Sequence, residues 1–347
     1  MINAKKITVR ASSEYDILIG NGILGKVGEL ISPIIPKCKV AIITDDIVEK
    51  LYANTVKTSL ITSGYEVCVF VIPNGEKSKN LYTYSNILQF LATNQLTRTD
   101  CVLALGGGVV GDISGFCAST YLRGVRYVQV PTTLLAQIDS SVGGKTAIDL
   151  PQGKNLVGAF CQPQMVLIDV DALSTLPENI YDDGMGEMVK YALLDKRVFD
   201  QLEKDSTDLN ALVYLCVDYK RMIVEKDEFE CGDRRLLNLG HTIAHALEKL
   251  SEYTISHGSA VAYGVKKIVE CSLKNKLIDD KTCEKIFSVL DKFIKVIKVD
   301  FSSSEICSSC AFDKKRSGED ITLVMVYGIG DCRQVKIKLK DLEGYLV

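Results

Sequence analysis

The 347-residue sequence has no strong excess of either charge and no apolar run long enough to span a bilayer. Its formal net charge is −3 and its pI is near 5.8, which argues against a nucleic-acid-binding surface. No stretch reaches the ~18 consecutive apolar residues of a membrane span, and the N-terminal segment lacks the apolar core of a signal peptide. We therefore expect a cytoplasmic protein that binds neither nucleic acid nor a membrane.

Histidine is also scarce, and the three histidines lie close together, at 241, 245 and 257. The i, i+4 spacing of His241 and His245 places both side chains on one side of a helix. The clustering favours a metal site or proton transfer over buried histidines bonded to the backbone. Spacing alone allows all three as ligands. It equally allows His257 with one histidine of the pair and a remote carboxylate, the other histidine serving in acid–base chemistry.

Disulfides are not expected, since the twelve cysteines belong to a sequence with cytoplasmic character and several lie in apolar segments. Cys307 and Cys310 form a C-x-x-C pair, but no second pair follows at zinc-ribbon spacing. We assign that pair no role.

Short β-branched runs alternate with helical stretches up to about residue 170. The runs are 39–44, 66–72, 101–106, 127–131 and 165–170. This alternation predicts a parallel sheet with helices on both faces. Longer helical periodicity follows, and two apolar runs near the C-terminus predict a hairpin. We predict an α/β fold, with a parallel-sheet α/β domain at 1–172, a mainly α-helical domain at 173–347, and the active site in the cleft between them.

GGGVVGD, at 106–112, follows a strand candidate and opens a helical stretch. It matches G-x-G-x-x-G through Gly106, Gly108 and Gly111, a pattern that lets backbone approach a pyrophosphate. The acidic residue expected at the end of the next strand is missing, and the motif follows a middle strand rather than the first. The pattern therefore favours a nucleotide phosphate loop of unusual connectivity over a tight turn.

SSVGGKT, at 140–146, resembles the end of an ATP-binding P-loop, but Asp139 stands where the first glycine is required. What remains is Lys145, followed by Lys154 and Asn155 in QGKNLVG. Two lysines in glycine-containing loops suit a phosphorylated or carboxylated substrate, and solvated surface lysines are the alternative.

Several segments, taken together and in order, resemble the 3-dehydroquinate synthase family. They are GGGVVGDISGF, YLRGVRYVQVPTTLLAQIDSSVGGKTAID, GKNLVGAF, GEMVKYALL, RLLNLGHTIAHALE, HGSAVAYGV and DKKRSG. The resemblance implies cyclisation of a small keto sugar-acid phosphate, 3-deoxy-D-arabino-heptulosonate 7-phosphate, to 3-dehydroquinate with release of phosphate. It also implies NAD and zinc, or cobalt, as cofactors, with 1–172 as a Rossmann-like NAD-binding domain and 173–347 as a metal- and substrate-binding domain.

The same resemblance implies a role for particular residues. Glu187, His241 and His257 match the metal ligands, and Arg123 matches an arginine that reaches the phosphate across a homodimer interface. The implied NAD contacts are Asp45, Asn74, Gly75, Glu76, Lys79, Gly107, Gly108, Val109, Val110, Gly111, Asp112, Thr132, Thr133, Lys145, Lys154, Ala172, Leu173, Ser174 and Thr175. The other implied catalytic and substrate positions are Asp139, Lys145, Asn155, Lys190, Lys220, Glu230, Arg234, Asn238, His245, and Lys314 and Lys315, one of which contacts phosphate.

Three other functions fit these residues less well. Related sugar-phosphate cyclases share the metal and NAD, but Lys220, Arg234, Asn238 and His245 together favour the dehydroquinate pattern. A metal-dependent polyol dehydrogenase needs few cations, so the basic residues argue against it. An intact set of metal ligands argues against a catalytically inactive binding protein.

Overall fold

In the computed structural model, residues 4–204, 206, 208–295, 297–310 and 320–346 are described. They form two compact units. One comprises Met1–Leu176 and Lys220–Glu228, and the other comprises Pro177–Tyr219 and Phe229–Val347. The boundary predicted at residue 172 lies just before Leu176, but Lys220–Glu228, predicted to lie in the second domain, belongs with the first unit. Lys314 and Lys315 lie outside the described residues.

The first unit is built around a parallel sheet. Its described strands are β1 (Ala4–Arg10), β2 (Glu14–Gly20), β3 (Lys39–Asp45), β4 (Glu66–Ile72), β5 (Cys101–Gly106), β6 (Arg126–Pro131), β7 (Lys145–Leu150), β8 (Gly153–Phe160) and β9 (Met165–Asp169). Seven of them form one sheet in the order β1-β2-β9-β6-β5-β3-β4, parallel except for β1 against β2. The strands β7 and β8 form a separate antiparallel hairpin. All five predicted strands are present.

Helices pack against both faces of this sheet. They are α1 (Val27–Ile31), α2 (Asn54–Thr62), α3 (Leu81–Thr93) and α4 (Gly108–Thr120). Successive side chains of a strand point to opposite faces, so Ile42 packs in the core with α1 and α2, while Ile43 packs in the core with α3 and α4. The fold class predicted for this half, a parallel sheet covered on both sides, is confirmed.

Chain connections diverge at the centre of the sheet. From β3 the chain continues outward to β4, and from β5 it continues to β6 on the opposite side. In open α/β sheets a ligand crevice forms outside the carboxyl ends of the strands at such a divergence. The carboxyl ends of β3 and β5 are therefore the expected cofactor-binding edge.

The second unit is mainly helical, as predicted. Its elements are α5 (Glu178–Leu194), α6 (Lys196–Leu202), α7 (Leu209–Lys226), α8 (His241–Leu250), α9 (His257–Lys274), α10 (Asp280–Leu290), α11 (Ser303–Cys310), the hairpin β10 (Asp320–Gly328) and β11 (Asp331–Lys338), and α12 (Leu342–Leu346). From Lys220 onward α7 belongs to the first unit. Helix α9 is central, because it packs against α5, α8, α10 and β10.

Across the described residues, no helix is both long and apolar enough to cross a membrane. The twelve cysteines are all described, and each is a free thiol.

Candidate active site

The positions implied for NAD gather at the carboxyl edge of the sheet in the first unit. Asp45 ends β3, and 74–76 follow β4. The glycine motif follows β5, Thr132 and Thr133 follow β6, and 172–175 follow β9. This is the edge at which the divergence of β3 and β5 predicts a crevice.

The glycine motif forms a close turn into α4. The Thr132 amide donates to the Gly106 carbonyl at 3.0 Å, and a Cβ atom built on Gly107 would lie 2.9 Å from Thr133 Cγ2. Helix α4 begins at Gly108, so its unbonded N–H groups and positive dipole end lie at this edge. The buried Thr132 hydroxyl has no hydrogen-bond partner among the described residues. The turn therefore fits an anionic ligand that accepts hydrogen bonds.

Lys79 joins positions implied for cofactor and for substrate. Its ammonium group lies 2.5 Å from both Asp112 Oδ2 and Asn155 Oδ1. Burial would lower the pKa of Lys79, but the Asp112 and Glu76 carboxylates raise it above its usual range, so the lysine is charged. The backbone N–H of Asn155 donates in turn to Asp149 Oδ1 at 2.7 Å. A buried ion pair thus anchors the β7–β8 hairpin beside the glycine turn.

Two further lysines lie elsewhere than the sequence analysis predicted. Lys145 is the first residue of β7 and Lys154 lies in β8, so both belong to an antiparallel hairpin rather than to glycine-containing loops. The reason is local: Gly153, at a φ of +159°, pairs with Leu150 and so closes a tight connection between the two strands. Lys220 also has a partner within the first unit. Its ammonium group donates to the Asp139 backbone carbonyl at 2.6 Å and to the Asp139 carboxylate.

In the second unit, Glu187 and Lys190 lie one turn apart on α5. Lys190 Nζ is 2.5 Å from Glu187 Oε2, and the two side chains are only 1% and 3% exposed. Burial would raise the pKa of Glu187, but the Lys190 ammonium and the neighbouring histidines hold it well below its usual range. Glu187 is therefore an ionised, buried carboxylate.

Two imidazoles face this carboxylate through their Nε2 atoms. His241 Nε2 lies 3.3 Å and His257 Nε2 lies 3.0 Å from Glu187 Oε1. The opposite nitrogen of each ring has its own partner: His241 Nδ1 lies 3.1 Å from the Leu239 carbonyl, and His257 Nδ1 lies 3.3 Å from Glu248 Oε2. Both rings thus direct the same nitrogen toward Glu187.

This donor set fits a zinc-type ion. Glu187, His241 and His257 each offer one ligand atom, and these atoms lie within 4.8 Å of one another. Two imidazole nitrogens and one carboxylate oxygen are a common catalytic zinc set. Of the two arrangements left open by the spacing, the structure brings together the one with a remote carboxylate. The exposed ring of His245 lies 5.6 Å from that of His241 between centroids, outside the cluster.

The remaining implied substrate positions lie as follows. Arg234 is buried in a short turn, Asp233–Asn238, whose last residue donates from Nδ2 to Glu230 Oε1 at 2.8 Å. Arg123 is exposed in the first unit. Both Leu122 and Arg123 have left-handed backbone conformations, with φ of 50° for Leu122 and 67° for Arg123. The substrate and cofactor roles of these residues remain predictions.

Glu248, whose carboxylate lies 3.3 Å from His257 Nδ1, was not among the positions predicted from the sequence. A usable signal was present, because His241, His245 and Glu248 follow one another at i, i+4 and i+7 and so share one side of α8.

Comparison with known proteins decides the family. Residues 69–183 match the family of 3-dehydroquinate synthase N-terminal domains, and residues 184–316 match the family of 3-dehydroquinate synthase C-terminal domains. The 3-dehydroquinate synthase of Clostridium kluyveri is 42% identical over 354 residues, covering 99% of this chain and 98% of that protein. That of Streptococcus suis is also 42% identical, covering 98% and 99%.

This chain belongs to the 3-dehydroquinate synthase family. The family resemblance seen in the sequence is thereby confirmed. Among solved structures, 2-deoxy-scyllo-inosose synthase complexed with carbaglucose-6-phosphate, NAD+ and Co2+ has a TM-score of 0.87 at 22% identity, with 99% of each chain covered. Glycerol dehydrogenase from Schizosaccharomyces pombe has a TM-score of 0.68 at 15% identity, covering all of this chain and 91% of the other. At these identities the likeness extends to the fold alone.

Proposed function

We propose that the protein is a 3-dehydroquinate synthase, which converts 3-deoxy-D-arabino-heptulosonate 7-phosphate to 3-dehydroquinate and phosphate. The observation that carries the proposal is the convergence of Glu187, His241 and His257 beside the buried ammonium of Lys190. This convergence occurs in a chain 42% identical to members of the family along nearly its whole length.

Two cofactors follow from the proposal: NAD at the carboxyl edge of the sheet, and zinc or cobalt on Glu187, His241 and His257. When bound, NAD supplies reversible hydride transfer, and the ion makes the substrate hydroxyls it contacts more acidic. The glycine turn at Gly107 and the free Thr132 hydroxyl suit the dinucleotide.

The side chains of the protein contribute to the proposed reaction by supplying charge and by positioning the substrate. Lys190 and Arg234 are buried cations, which suit the phosphate and carboxylate groups of the substrate. Fixed cations stabilise the charge that develops on phosphate as it leaves, without any need to reorganise solvent. His245, exposed beside the other two histidines, is suited to move a proton at a ring nitrogen. Asp139 and Lys220 form an ion pair, which fixes the positions of two polar side chains that we propose contact the substrate.

We also propose that the protein works as a homodimer in which Arg123 completes the partner's phosphate site. Two successive non-glycine residues in left-handed conformation, Leu122 and Arg123, are unfavourable, and such strain persists where a loop must present a side chain in one direction.

A substrate panel tests the reaction. Phosphate release should be rapid with the heptulosonate phosphate and at least about 100-fold slower with glucose 6-phosphate, because glucose 6-phosphate lacks the carboxylate that the buried cations are proposed to bind. Preference for the sugar phosphate without a carboxylate would instead indicate a sister cyclase. Accumulation of NADH with an unphosphorylated polyol would indicate a dehydrogenase.

A further inference from the structure

We propose that Glu248 is a positioning residue for the metal site, which holds the His257 ring so that its Nε2 atom faces the ion. The inference rests on the proposed metal site formed by Glu187, His241 and His257, and it adds a residue to which the family resemblance gave no role.

The geometry puts His257 between two carboxylates. Its Nδ1 lies 3.3 Å from Glu248 Oε2, and its Nε2 lies 3.0 Å from Glu187 Oε1. The two ring nitrogens point in opposite directions, so a hydrogen bond at Nδ1 fixes both the tautomer and the direction of Nε2. A carboxylate behind a metal-bound imidazole also makes the ring a stronger donor to the ion.

His257 depends on such a contact more than His241 does. The Nδ1 partner of His241 is the Leu239 backbone carbonyl, which the fold itself fixes. The His241 side chain is also only 12% exposed, whereas that of His257 is 32% exposed and belongs to the first residue of α9. Packing therefore restrains the His257 ring less, and the Glu248 side chain is the group that can restrain it.

Glu248 is itself buried on a helix. It lies on α8 and its side chain is only 5% exposed, in a stretch where Ala246 and Leu247 are buried too. An ionised carboxylate is costly to bury unless hydrogen-bonded groups compensate it, so its position beside His257 is a specific feature of the site.

The test measures the affinity of the metal-free protein for Zn²⁺ by competition with a chelating indicator. Glu248→Gln keeps an oxygen acceptor but loses the charge, and Glu248→Ala loses both. We expect affinity to fall by about 10-fold for the glutamine variant and about 100-fold for the alanine variant. Glu252→Gln is the matched control, because Glu252 is exposed and lies only four residues further along the chain. This substitution removes the same charge as Glu248→Gln. It should bind Zn²⁺ like the wild type.

A second background separates positioning from damage to the fold. If Glu248 acts through His257, then Glu248→Gln should cause no further loss of the residual affinity in a His257→Ala protein. Equal loss in both backgrounds would overturn the proposal, as would unchanged affinity in the two single Glu248 variants. Failure of the wild-type protein to bind Zn²⁺ or Co²⁺ would instead contradict the proposed metal site, which is a separate result.

Discussion

Gly258 on α9 lies in backbone contact with Asp183 on α5. A Cβ atom built on Gly258 would lie 1.8 Å from the Asp183 carbonyl oxygen, and the Asp183 carboxylate accepts from the Gly258 amide at 2.6 Å. Gly186, on α5, has the same relationship to Gly258, since its Cβ would lie 2.0 Å from the Gly258 carbonyl oxygen. The glycines adjoin Glu187 and His257, so this contact sets the separation of two proposed metal ligands.

Gly258→Ala should therefore damage both stability and metal binding. The added methyl group cannot fit without separating α5 from α9, because the atoms it meets are backbone. We expect the free energy of unfolding to fall by about 3 kcal/mol, measured by denaturant titration of the metal-free protein, and Zn²⁺ affinity to fall with it. Gly344→Ala is the control. Gly344 lies in a helix, and a Cβ atom built on it would meet no atom within 4 Å. The free energy of unfolding should therefore stay the same or rise by about 0.5–1 kcal/mol. Wild-type stability in Gly258→Ala would refute the close packing.

Binding of the metal should release one proton. Burial lowers the pKa of His241 to about 4, so that ring is neutral and its Nε2 is available. Burial would also lower the pKa of His257, but hydrogen bonds to Glu187 and Glu248 raise it to about 10, so the metal-free ring is charged at neutral pH. An ion can bind Nε2 only after that proton leaves. Affinity should thus rise about tenfold per pH unit between pH 6 and 9.

Calorimetry at pH 7.5 in buffers of different ionisation enthalpy checks this prediction. The observed heat of Zn²⁺ binding should vary with the buffer by an amount equivalent to about one proton released. Identical heats in all buffers would show that both imidazoles are neutral before the ion arrives.

Lys79→Met should weaken both the fold and the cofactor site. It leaves the partly buried Asp112 carboxylate without its ammonium partner and removes the hydrogen bond that Asn155 Oδ1 accepts from Lys79. We expect a loss of about 3 kcal/mol in the free energy of unfolding and at least about tenfold weaker NAD binding, measured by fluorescence titration. Lys77→Met, which removes an exposed lysine two residues away, should change neither quantity. Unchanged NAD affinity in Lys79→Met would separate this ion pair from the cofactor site.

Mixing two inactive variants tests the proposed role of Arg123. Arg123→Ala and Lys190→Ala should each lose activity as pure proteins. If Arg123 acts in the partner's site, a hybrid dimer holds one site with both native residues. Equal mixing then restores roughly a quarter of wild-type activity. Activity that stays absent after subunit exchange, confirmed by mass spectrometry of the dimers, would show that Arg123 acts within its own chain.

Much of the fold could be predicted because local patterns decide it. The buried runs VAII, within KVAIIT, and CVLALG are continuously apolar, as is typical of strands covered on both faces, and both lie in strands of the sheet. The β7–β8 hairpin escaped prediction because its strands are partly exposed and interrupt their apolar residues with charged residues and glycines, so no continuous apolar run marks them. Its position depends on contacts such as that of Lys79 with Asn155, which bring together residues far apart in sequence.

The candidate metal site could likewise be predicted only in part from local sequence patterns. The spacing of His241 and His245 indicated a shared helix face, but it could not choose between three histidines and a remote carboxylate. That choice depends on the packing of α5 against α9, which brings Glu187 to His257 across seventy residues of sequence. The family resemblance supplied Glu187, and local spacing could not have done so.

One measurement tests the central claim most directly: phosphate release from the heptulosonate phosphate, with NAD far below the substrate concentration, before and after chelation. The account predicts many turnovers per NAD, no accumulation of NADH, loss of activity with chelator and recovery on adding Zn²⁺. NADH rising in step with product, or turnover that persists in the fully metal-free protein, would contradict it.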